Sequence, residues 1–92
     1  MIDLSLIAYG TIYVARWMRY HNRHPARDYL ESMSGTERGQ FLARVQFFVD
    51  TGRSLSDRQG HWLQPPYADI YEFKTTRHRF FAFLHHSNLY VV

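Results

Sequence analysis

Residues 70–92 constrain the fold of this chain more than any other stretch. They hold three short runs rich in aromatic and aliphatic side chains, Ile70–Lys74, Arg79–Leu84 and Leu89–Val92. Only the polar segments Thr75-Thr76-Arg77-His78 and His85-His86-Ser87-Asn88 separate them. Parallel strands need a crossover of about a dozen residues or more, whereas antiparallel strands are joined by short turns. The spacing therefore predicts an antiparallel meander. It also places Leu89–Val92 at the end of the sequence as an apolar strand. An apolar strand with an open edge invites pairing with another chain, so self-association into a homo-oligomer through this terminal strand is expected.

Upstream, the run TIYVARWMRY at residues 11–20 is rich in β-branched and aromatic residues. Its alternation sends Ile12, Val14 and Arg16 to one face and Tyr13, Ala15 and Trp17 to the other, which predicts a central strand. His21–His24 reads as a polar turn. Pro25 suits the first turn of a helix, where its missing N–H is not needed, and Ala26, Tyr29, Leu30 and Met33 follow at helical spacing. Ser34-Gly35-Thr36-Glu37 matches a capping box and opens a second helix. Its apolar stripe is Phe41, Leu42, Val45, Phe48 and Val49, and Gly52 is the expected terminator. Residues 53–69 read as loop. The expected architecture is one α+β domain spanning residues 1–92. Two helices pack on a small, twisted, mostly antiparallel sheet, in the order β-α-α-β-β-β.

Composition narrows the function classes. With no cysteine in 92 residues, disulfides and thiolate metal sites are excluded, and a reducing compartment such as the cytoplasm is expected. The segment MIDLSLIAYGTIYVA is shorter than a membrane span, and Asp3 and Gly10 interrupt it. It also lacks a basic leader, so neither a membrane anchor nor a signal peptide is expected. The net charge is +3, and Lys74 is the one lysine among 11 basic residues. The arginine fork suits phosphate oxygens, which mildly favours a nucleic-acid or acidic partner.

Lys74, Arg77 and Arg79 gather around one hairpin loop, with His78 between the last two. Cations there suit phosphate, although arginine beside a hairpin is equally common on any surface. Histidine is the side chain that exchanges protons near neutral pH. Glu72 reads as a solvent-facing strand residue. His21, His24, His61, His85 and His86 have no ligand-like spacing, so no metal and no cofactor are expected. Trp62, Tyr67 and Pro65-Pro66 offer either a base-stacking platform or, more commonly, cover for the core. No glycine-rich phosphate loop and no nucleophile elbow is present.

The stretches HPARDYLESMSGTERGQFLARVQFFVDTG, ADIYEFK and RHRFFAFLHHSNLYVV, in this order of elements, resemble the RelE/ParE toxin superfamily. The likeness is greatest to the phage-derived HigB-type branch. Family members carry a strand reading leucine-tyrosine-glutamate-leucine-arginine, matched here by Ile70-Tyr71-Glu72-Phe73-Lys74. A second strand opens with aromatic-arginine, matched by His78-Arg79-Phe80-Phe81. The resemblance implies the toxin of a type II toxin-antitoxin system, a metal-independent endoribonuclease that cuts mRNA on the ribosome. Its expected partner is a cognate antitoxin protein of the helix-turn-helix type. Lys74, Arg79 and His78 are then the expected catalytic residues, and Arg77, Lys74 and Arg79 the expected nucleic-acid contacts. Active members usually continue past the fourth strand with a basic segment, whereas this sequence stops at Val92. The alternative expectation is thus a non-catalytic phage-derived module of the same fold that binds an antitoxin-like protein. A gyrase poison of the ParE type is a third.

Overall fold

The computed structural model describes residues 4–92, so the interruption read at Asp3 lies outside them. The chain forms strand β1 (Leu6–Tyr9), strand β2 (Val14–Trp17), helix α1 (Pro25–Glu31) and helix α2 (Gly35–Thr51). Four further strands follow: β3 (Gly60–Trp62), β4 (Ile70–Lys74), β5 (Arg79–His85) and β6 (Asn88–Val91). The two helices and four of the strands, β2, β4, β5 and β6, reproduce the expected β-α-α-β-β-β order. They form an α+β domain with a mostly antiparallel sheet.

The local signals act as read. Pro25 opens α1. At α2, the Glu37 N–H donates to Ser34 Oγ at 3.2 Å, the serine half of the capping box. Gly52 closes α2 at φ 66, and its N–H donates to the Phe48 carbonyl. That left-handed conformation disfavours residues with a Cβ. One position in the stripe differs: Leu42 is exposed, while Glu37 shares the buried side with Phe41, Val45, Phe48 and Val49. A helix turns about 100° per residue, so Leu42, next to Phe41, points away from the sheet.

All six strands lie in one sheet, in the order β1-β2-β6-β5-β4-β3. Neighbours are antiparallel except β2 and β6, which run parallel with Ala15 opposite Leu89 and Trp17 opposite Val91. This placement corrects the expectation for the end of the sequence. Strand β6 is internal, hydrogen-bonded to β2 on one side and β5 on the other, so it has no open edge. The two-helix segment carries the chain across the sheet and leaves β2 available to close that edge. The sheet edges are instead β1 and β3, which extend the expected four strands on either side.

Both additional strands depend on glycine. A Cβ on Gly10 would sit 2.4 Å from the Val49 backbone, so only glycine lets the β1–β2 hairpin lie against the end of α2. A Cβ on Gly60 would come within 2.8 Å of the Glu72 carbonyl oxygen, and its absence lets β3 approach β4.

The core lies between the helices and one face of the sheet. Phe41 stacks on Trp17 with centroids 5.6 Å apart and packs on Phe80 at 4.2 Å. Phe48 packs on Tyr71 at 4.6 Å and Phe73 at 5.7 Å. Tyr71 is fully buried, and its hydroxyl accepts a hydrogen bond from the Leu55 N–H at 2.8 Å. Trp62 packs edge-on against Tyr71 and Phe48, which makes it cover for the core. Among the described residues no helix is long and apolar enough to cross a membrane.

Candidate nucleic-acid interface

Because the helices cover one face of the sheet, strand alternation sends every second side chain to the other face. Tyr71 and Phe73 of β4 and Phe80 and Ala82 of β5 point to the core. Ile70, Glu72 and Lys74, with Arg79, Phe81 and Phe83, therefore project from the uncovered face. Register brings Lys74 opposite Arg79, Glu72 opposite Phe81 and Ile70 opposite Phe83. On the outer side of β4, His61 stands opposite Glu72.

Four of these side chains converge. Glu72 Oε1 lies 3.2 Å from Arg79 Nη1, 3.2 Å from His61 Nε2 and 3.9 Å from Lys74 Nζ. Lys74 Nζ also donates to the Asp57 carbonyl oxygen at 3.0 Å, which ties the 53–59 segment to the cluster. The Glu72 side chain is 6% exposed and that of Arg79 64%, so a buried carboxylate anchors a guanidinium that reaches into solvent. Glu72 is thus not the solvent-facing residue read from sequence. Phe81 and the three basic side chains surround it, and paired charges are what make burial of a carboxylate tolerable. Beside the cluster, a cavity of about 360 Å³ is lined by Asp57, His61, Trp62, Gln64 and Lys74.

The structure brings Lys74 and Arg79 together, as the sequence suggested, but not His78. That imidazole turns to the helix side, where its Nδ1 shares a short hydrogen bond with the Tyr29 hydroxyl and its ring meets Tyr29 edge-on. Arg77 sits exposed at the loop tip. The loop itself is pinned to α2: the Thr76 N–H donates to Gln40 Oε1 at 3.0 Å, and Arg44 donates to the Lys74 carbonyl. The hairpin is thereby a fixed support for the two cations.

Sequence reasoning missed Glu72 and His61 as site residues. The signal for Glu72 was its i, i+2 spacing to Lys74 on one strand, which places both on one face. His61 carried no such signal, because its position depends on β3 pairing with β4. Of the other histidines, His85 and His86 pack edge-on with centroids 4.3 Å apart, and among the described residues no three His, Cys, Asp or Glu side chains form a potential metal cluster.

Comparison with protein-family models, with curated proteins and with solved structures gives no match to this chain in any of the three.

Proposed function

We propose that this chain is a metal-independent endoribonuclease of the RelE/HigB toxin kind, which cuts mRNA on the ribosome and is held in check by an antitoxin protein. One observation carries the reading. A carboxylate, an imidazole and two cations meet at Glu72 Oε1 on the uncovered sheet face. Those are the groups that RNA transesterification needs: a base, an acid, and positive charge for the phosphorane.

In this reading Glu72 takes the proton from the ribose 2′-hydroxyl. The 2′-oxygen forms a bond to the adjacent phosphorus, and the bond from phosphorus to the 5′-oxygen breaks. His61 gives a proton to the departing 5′-oxygen, leaving a 2′,3′-cyclic phosphate and a 5′-hydroxyl. Arg79 and Lys74 hold the non-bridging oxygens. The exposed guanidinium of Arg79 swings from Glu72 to the phosphate, which releases the carboxylate for the hydroxyl.

The buried position of Glu72 supports a second reading, in which the cluster is a structural tie between β3 and β4 and the chain is a non-catalytic module that binds an antitoxin-like protein. Incubation of the protein with ribosomes and mRNA separates the two. Fragments ending in 2′,3′-cyclic phosphate, absent with Glu72→Gln, support the nuclease. Intact mRNA under these conditions overturns it. A DNA supercoiling assay on the same preparation tests for gyrase poisoning.

A further inference from the structure

The register of the sheet places an aromatic row beside the charged cluster. Ile70 of β4 is opposite Phe83 of β5, Phe83 is opposite Tyr90 of β6, and Tyr90 is opposite Arg16 of β2. All four lie on the uncovered face. The Phe83 and Tyr90 rings pack side by side in a tilted contact, 5.6 Å between centroids and 31° between planes. Phe81, two residues from both Arg79 and Phe83 on the same strand, is 42% exposed.

The strands of this face carry more cationic than anionic side chains, Arg16, Lys74 and Arg79 against Glu72. Glu72 is the one carboxylate in the six strands, and Arg79, Lys74 and the His61 imidazole already surround it. Arg79 and Lys74 stand at one end of the aromatic rings and Arg16 at the other, its Nε donating to Asn88 Oδ1 at 3.1 Å. A row of rings with cations at both ends of an open sheet matches a single strand of nucleic acid, whose bases stack on aromatic faces while its phosphates meet the cations. An apolar protein surface would cover the 64%-exposed Arg79 side chain without bringing it an anion, so charge complementarity favours a polyanion.

We propose that Phe81, Phe83 and Tyr90 form a stacking platform for the bases of single-stranded RNA, running from the Glu72 cluster across β5 and β6 toward Arg16. The proposal rests on the reading of this chain as an RNA-cleaving protein and names where the nucleotides flanking the cut are held. Phe81 receives the base nearest the cluster. The Phe83–Tyr90 pair receives the next.

The test uses the full chain carrying Glu72→Gln, so that RNA stays intact, and fluorescein-labelled octaadenylate followed by anisotropy. Phe81→Leu and Tyr90→Leu keep apolar bulk at their sites, and thermal melts establish that both variants fold. Each substitution is expected to weaken binding about tenfold, within the range of one lost base stack. Octamers with a single abasic position, scanned along the strand, should show the same loss at one register, and there Phe81→Leu should add no further loss. If the folded Phe81→Leu and Tyr90→Leu variants bind as tightly as their parent while Arg79→Ala weakens binding, the RNA is held by its phosphates alone and the platform proposal is overturned. Absence of any RNA binding overturns it as well. The nuclease reading is judged separately by cleavage with the unsubstituted protein: binding with stacking but no cleavage sinks that reading and leaves the platform standing.

Discussion

Glu72 carries more of the site than any other residue, because one of its oxygens is shared by His61, Lys74 and Arg79. Glu72→Gln keeps the shape and removes the charge. If the carboxylate is the base, cleavage should fall about 10²–10⁴-fold, read from the rate of cyclic-phosphate formation, while the fold persists by circular dichroism. Arg79→Ala removes one of the cations paired with the buried Glu72 carboxylate, so stability should fall measurably in urea denaturation. The slope of log affinity for single-stranded RNA against log salt should drop by about 0.7, one phosphate contact. Tyr71 makes a contrasting residue-scale case. Its hydroxyl accepts from the partly buried Leu55 N–H and contacts Ser54 Oγ at 3.1 Å. Tyr71→Phe leaves that N–H without its partner and should cost about 1–3 kcal/mol in urea denaturation, with no direct effect on the opposite face.

Elements here are positioned by glycine as much as by side-chain pattern. Gly10 and Gly39 give opposite expectations for the same substitution. A Cβ at Gly10 meets the Val49 backbone at 2.4 Å, where nothing flexible can yield. Gly10→Ala should unseat the β1–β2 hairpin from α2 and lower the melting temperature. Gly39 lies inside α2 with nothing within 4 Å of an added Cβ. Gly39→Ala should raise stability by about 0.5–1 kcal/mol, the difference in helix propensity. The pair of melts checks both: a stabilised Gly10→Ala or a destabilised Gly39→Ala would contradict the placement of these elements. The β4–β5 hairpin shows how an element serves the site. Cross-strand pairing sets Lys74 beside Arg79, and Gln40 and Arg44 of α2 hold its turn from the other face.

At the scale of the whole molecule, β6 joins the two halves of the sheet. It bonds in parallel to β2 and antiparallel to β5, and its Leu89 and Val91 are fully buried. Val91→Lys would bury a charge without a partner among aromatic side chains. It is expected to abolish cooperative unfolding, not merely to fray one end, as near-ultraviolet circular dichroism would show. An equally cooperative melt would mean that β6 is peripheral. Association between copies through β6 is not expected, since both its edges are occupied. Any strand-to-strand association has to use β1 or β3, and Lys substitutions along those two strands, followed by light scattering, would locate it.

Much of this architecture was legible in the sequence because its causes are local. Short turns dictated the β4–β5–β6 meander, Pro25 and Ser34 marked the helix starts, Gly52 marked an end, and alternation along residues 70–74 put Lys74 on one face. These signals act within a few residues of each other, where chain geometry alone limits the outcomes. Tertiary structure decided the rest. Strands β1 and β3 are short and have weak patterns of their own, and they become strands by hydrogen-bonding to β2 and β4. The position of β6 depends on where the helical crossover returns the chain. That crossover also determines that Tyr90 stands beside Phe83 and Arg16. His61 meets Glu72 only because β3 lies against β4, and His78 leaves the cation pair because Tyr29 offers it a hydrogen bond on the helix side. Such pairings join residues far apart in the chain, and their register is selected by burial and hydrogen bonding of the whole sheet.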